Sequence, residues 1–150
     1  MRNVYRALAF AIAGLVALQA ASIAYGVSGL AKYIDGGGAV DKNTEGFPGV
    51  GGLIAHGIGG QMVIPIVTLL LLVISFFAHV AGGVRWALIV LGAVAVQVAL
   101  GIFAHSLPTL GAVHGVMALV LFGVAVTAAM RARVPDRTVA EPAWVSTPVG

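Results

Sequence analysis

Four stretches of this chain are long and apolar enough to cross a lipid bilayer, and this limits its fold more than any other feature. Spanning the hydrocarbon takes about 20 mostly apolar residues. The first stretch runs from about Ala7 to Leu30 and the second from about Gly52 to Ala78. The third runs from about Val84 to Ala104 and the fourth from about Leu110 to Met130. Apart from Arg85 at the start of the third, none contains an Asp, Glu, Lys or Arg. Lipid offers no partners for exposed backbone amides and carbonyls, so each stretch is expected to be α-helical. The expectation is an all-α fold, an integral membrane four-helix bundle over residues 1–130.

Composition supports this. Of 150 residues, 60% are hydrophobic and 9% charged, against about 25% charged in a soluble domain. So few charges do not cover the surface of a soluble protein this size. The formal charge is +3. The basic residues flank the apolar stretches, which points to topology and the lipid bilayer as partner, with no nucleic acid. The absence of cysteine excludes disulfides and thiolate metal sites.

The intervening segments are rich in breakers. Lys32 to Gly51 holds Gly36-Gly37-Gly38, Asp41, Lys42, Glu45 and Pro48, a solvated loop. Ala81-Gly82-Gly83 and Ser106-Leu107-Pro108-Thr109 read as tight turns. Residues 131–150, with three arginines and three prolines, read as a disordered cytoplasmic tail.

Orientation follows from charge. Arg2, Arg6, Arg85, Arg131, Arg133 and Arg137 fall on one side of a four-pass chain, and Lys32 and Lys42 on the other. The positive-inside rule puts the arginines, and with them both termini, in the cytoplasm. The membrane would be the bacterial cytoplasmic (inner) membrane. A cleaved signal peptide competes for the first stretch. Arg2, Arg6 and an apolar run to Gln19-Ala20-Ala21-Ser22 resemble one, and cleavage would leave three helices. The run continues well past that point, which favours a retained helix.

The chemistry-bearing residues are few. His56 lies four residues after Gly52, and His114 four residues after Leu110. At 1.5 Å rise per residue, each lies roughly 6 Å below the outer start of its helix. If the second and fourth helices face each other, the two imidazoles approach a common point from opposite sides. That is what the two axial positions of a low-spin haem b (heme b) require, and histidine is a standard haem ligand. Small residues flank both. Gly60 is at i+4 from His56; Gly111 is at i−3 from His114, and Gly115 is adjacent to it. They would let a flat macrocycle lie against the helices, although small residues also let membrane helices pack closely without one. His105, at the outer end of the third helix, could be a third ligand, a propionate partner or a solvent-facing residue. His79 is 23 residues from His56, roughly 34 Å along a helix, and belongs to the inner face.

Gln19, Gln61 and Gln97 lie inside the spans and could form an interhelical hydrogen-bonded layer. Pro65 removes a helical donor from the Gln61 carbonyl, so a bend is expected there, with Thr68 and the Gln61 side chain as compensating groups.

Gln97, Leu100-Gly101, Pro108, His114, Ala118 and Leu121-Phe122 resemble the end of helix 3 and start of helix 4 in one half of the haem A synthase family, and His56 sits where that family has a ligand histidine. The resemblance covers about residues 50–130. The quartet Gln19, His56, Gln97 and His114 also resembles that of small four-helix bacterial membrane proteins of uncharacterised function. The resemblance implies the fold and a histidine pair. It does not carry haem A synthesis over. The family's active half has a glutamate just before the helix-2 histidine, where this chain reads Val50-Gly51-Gly52-Leu53-Ile54-Ala55.

Three functions follow. One is a haem b-binding membrane protein in electron transfer or haem handling, ligated by His56 and His114. The second is a cofactor-free accessory or structural subunit of a respiratory or other membrane complex. The third is a transporter component, disfavoured because the spans carry no buried acid to mark an ion path. No nucleophile–base or carboxylate pair lies within the spans to mark an enzyme.

Overall fold

A computed structural model of the chain describes residues 1–133. The expected tail therefore lies almost wholly outside the described residues. Among these residues the fold is all-helical, without strands. Four helices are long and apolar enough to cross a membrane: α1 (Arg2–Asp35), α2 (Val50–Ser75), α3 (Gly83–Phe103) and α4 (Thr109–Arg131).

α1 extends five residues beyond the charge-free stretch at each end. Charge does not stop a helix; it only bars the side chain from hydrocarbon. What ends α1 is Gly36-Gly37-Gly38, with Gly37 at φ +87°. α2 stops three residues earlier than hydropathy implies, because Phe76, Phe77 and Ala78 turn toward His79, which holds φ +51°. Gly82, at φ +69°, opens α3.

α1 packs on α2 and α4, and α3 also packs on α2 and α4. α2 and α4 therefore lie across a diagonal. The first part of α2, Val50–Ile58, leans on α1, whereas Ile64–Ser75 packs on both α1 and α3. Between these parts runs a π-helical turn, Gly59–Val63. There the Ile64 amide donates to the Gly59 carbonyl, five residues back. The widening sits immediately before Pro65, the residue without a donor. Thr68 does not rescue the Gln61 carbonyl; its hydroxyl donates to the Ile64 carbonyl at 2.8 Å.

The core is unevenly distributed. At the arginine end it is tight: Tyr5, Ala9 and Ile12 of α1, Thr68 and Leu71 of α2, Ala87 and Val90 of α3, and Ala125, Ala128 and Ala129 of α4 have no exposed surface. Alanines dominate, so the helix axes approach closely. The Tyr5 hydroxyl donates to the Gly83 carbonyl at 3.1 Å and ties α1 to the start of α3. Arg6 and Arg133 both lie over the Phe10 ring, and Arg131 over Trp86. At the other end, only Gly26 and Gly52 are fully covered along the helices. Outward-facing side chains are apolar along each helix, including Leu18, Ile66, Leu88 and Leu119.

Candidate functional site

The open half of the bundle brings together two glutamines and two histidines, one from each helix. Gln19 comes from α1, His56 from α2, Gln97 from α3 and His114 from α4; each is half-buried. Two contacts repeat the same pattern. His56 Nδ1 is 3.0 Å from the Gln19 carbonyl, and His114 Nδ1 is 3.0 Å from the Gln97 carbonyl. A carbonyl only accepts, so Nδ1 carries a proton in both rings, and in the neutral imidazole Nε2 then keeps a lone pair. Histidine ligands are commonly oriented this way, with the far nitrogen donating to a carbonyl.

The two rings meet across the diagonal. Their centroids are 6.0 Å apart, with an interplanar angle of 69°. The structure thus brings together the two histidines that the sequence placed at equal depth.

The glutamine side chains differ. The Gln97 amide nitrogen lies 3.1 Å from the His114 carbonyl and 3.2 Å from His114 Nε2. Both are acceptors, so the amide donates to both. The Gln19 amide points elsewhere, to the Ala55 carbonyl at 3.5 Å. The Oε1 atoms of Gln19 and Gln97 are buried without a hydrogen-bond partner among the described residues. Gln61 does not join the layer; the π turn leaves it exposed.

Around the two histidines, the glycines in closest contact are Gly59 and Gly101. A Cβ on Gly60 would meet Gln19 Oε1 at 3.6 Å, and one on Gly111 would meet Ala104 at 3.9 Å, both ordinary contacts; one on Gly115 would meet nothing within 4 Å. Gly59 is tight instead, since a Cβ there collides with the Gln19 amide. Gly101 is tight as well, because a Cβ would sit 3.1 Å from Cε1 and 3.3 Å from Nδ1 of His114. Gly59 and Gly60 both face the Gln19 side chain on α1, and the closer approach is at Gly59, where the π turn begins. Gly101 was legible. It lies four residues after Gln97, on the same helix face, and its missing side chain lets the His114 ring reach the Gln97 carbonyl.

His105 is exposed. Its Nδ1 lies 3.3 Å from the carbonyls of Gly101 and Ile102, so the ring caps its own helix end. His79 lies at the arginine end beside Met1, Arg2, Phe77 and Ala78. Among the described residues no three His, Cys, Asp or Glu side chains converge as a metal site would require. A haem does not need three, because the porphyrin itself supplies four nitrogens and the protein only the axial pair. No protein-family model, curated protein or solved structure matches this chain.

Proposed function

We propose that this chain is an integral protein of the bacterial inner membrane that holds a b-type haem between His56 and His114, serving electron transfer or haem handling. The observation that carries the reading is the histidine pair: two rings 6.0 Å apart on diagonal helices, each with Nδ1 on a carbonyl of the helix before it.

The donor set fits the group. Of that centroid separation, two metal–nitrogen bonds of about 2 Å each would occupy about 4 Å. The remainder is about two ring-atom-to-centre distances. Apart from Gly26 and Gly52, the described helix residues at this level are less fully covered than those at the arginine end. The orphaned Gln19 and Gln97 oxygens mark an interior whose hydrogen bonding is incomplete without a further group or water.

Bound there, haem would supply a one-electron iron couple. The chain's own residues do the rest. The Gln19 and Gln97 carbonyls would fix tautomer and ring orientation of both imidazoles. Gly101 lets the His114 ring approach α3 closely. Lys32 and Lys42 are the cations at that end to meet propionates. The alanine-rich packing below keeps water from the arginine end. Purified from membranes, the protein should show a Soret band and split α/β bands. A colourless preparation that takes up no added haem would defeat the proposal.

One observation favours the cofactor-free accessory subunit: the Gln97 amide already satisfies His114 Nε2. A structural layer of that kind would need no iron. The same spectrum separates the two.

The membrane orientation rests on charge. Arg2, Arg6, Arg85 and Arg131 lie at one end of the bundle and Lys32 at the other. Reporter fusions after Met130 should read cytoplasmic, and fusions within residues 36–46 external. A cytoplasmic signal from the 36–46 loop would reverse the assignment.

A further inference from the structure

The two histidines share one arrangement on the Nδ1 side and differ on the other. His114 Nε2 has a competitor, whereas among the described residues none hydrogen-bonds His56 Nε2. The difference comes from the glutamine side chains. That of Gln97 folds back over the ring whose Nδ1 its own backbone holds, placing its amide nitrogen 3.2 Å from His114 Nε2. That of Gln19 runs along α2 to the Ala55 carbonyl. Gln97 is also held on its donor side alone, since its Oε1 has no partner.

We propose that, in the haem-bound protein, His56 is the fixed axial ligand and His114 the exchangeable one, with Gln97 the positioning residue that competes for His114 Nε2. This rests on the haem reading above. The consequence is a site that admits a small neutral ligand, such as carbon monoxide, on the His114 side. With haem bound, His114 Nε2 would have two alternative partners, the iron and the Gln97 amide. The Gln97 amide loses little while His114 is ligated, because it keeps its second acceptor, the His114 carbonyl at 3.1 Å. It therefore stays beside the ring, ready to recapture it. The Gln97 carbonyl lies 3.0 Å from His114 Nδ1, a contact that would keep the ring's tautomer whichever partner Nε2 takes. No such partner awaits His56.

The test uses the full-length, haem-loaded, dithionite-reduced protein in detergent, titrated with carbon monoxide. The wild type should form a carbon monoxide adduct. Gln97→Leu removes the competitor, so His114 holds the iron harder and carbon monoxide affinity should fall about three- to tenfold, the factor one neutral hydrogen bond supplies. His114→Ala should keep haem as a five-coordinate species that binds carbon monoxide more tightly than wild type. His56→Ala should retain at least tenfold less haem than His114→Ala. Unchanged affinity in Gln97→Leu overturns the proposal. So does equal haem retention in the two histidine variants, which decides the matter even if Gln97→Leu fails to fold. A wild type with no Soret band under any loading condition defeats the haem reading itself, a result distinguishable from the others because the comparison never starts.

Discussion

Replacing either His56 or His114 with alanine should abolish the six-coordinate spectrum of the haem-loaded protein. The rings are 6.0 Å apart and come from helices on opposite corners of the bundle, so neither substitutes for the other. No nearby side chain replaces a lost ligand: His105 is hydrogen-bonded to its own helix end, and His79 lies at the far end of the bundle. The split α band should collapse to a high-spin form in His114→Ala and be lost with the cofactor in His56→Ala. His79→Ala should keep the wild-type spectrum, and His105→Ala should keep both ligands. Absorbance of the four purified variants, loaded in parallel, checks all of this. A six-coordinate spectrum surviving in either His56→Ala or His114→Ala would remove that residue from the axial pair.

Gly52→Ala should destabilise the protein, whereas Gly51→Ala should not. The two glycines are neighbours on α2, yet a Cβ on Gly51 meets nothing within 4 Å. On Gly52 it would sit 2.5 Å from the Ser22 carbonyl and 2.9 Å from the Gly26 amide, backbone atoms of α1 that have nowhere to go. Overfilling a packed contact typically costs about 1–3 kcal/mol, and rigid backbone puts Gly52→Ala at the upper end. Gly51→Ala should gain up to about 1 kcal/mol from helix propensity alone. The signs are opposite, so thermal unfolding in detergent separates them. At roughly 2–4 °C per kcal/mol for a chain of this size, the two midpoints should differ by about 10 °C. Gly52→Ala should also weaken haem retention, because His56 stands one turn below Gly52 and leans on α1 through the Gln19 carbonyl. Equal midpoints would mean that the α1–α2 contact around Gly26 and Gly52 is not tight.

The legible part of the site came from depth and residue type. His56 and His114 are each one turn below a helix start, and imidazoles are rare in apolar stretches. Their neighbours were less legible. Gly60 does face Gln19 beside His56, but at ordinary contact distance, and the close approach is at Gly59; Pro65 signals a disturbance, but not that it is absorbed upstream as a π turn at Gly59–Val63. Gly111 and Gly115 looked like clearance for His114, yet the ring turns toward α3 and needs Gly101. The glutamine layer was expected from three residues and built from two, since the π turn leaves Gln61 exposed.

The sequence by itself determined the four long apolar helices, the glycine-rich breaks between them, the arginines at one end and a histidine early in the second and fourth. These follow from hydropathy, breakers and count, each a property of one segment at a time. Only the tertiary structure decided which way each helix is rotated. These helices are apolar nearly all round, so no polar stripe marks an outer face as it does in a soluble bundle. Rotation was therefore set by where alanines and glycines let backbones approach, with Gly26 against Gly52 and the alanines at the arginine end, and by where Gln19 and Gln97 meet the two imidazoles. That rotation puts the histidines face to face across a loosely packed half of the bundle. It also lays the Gln97 amide on one ring and leaves the other uncapped, because a side chain's torsions are settled by its neighbours in space rather than by its place in the chain.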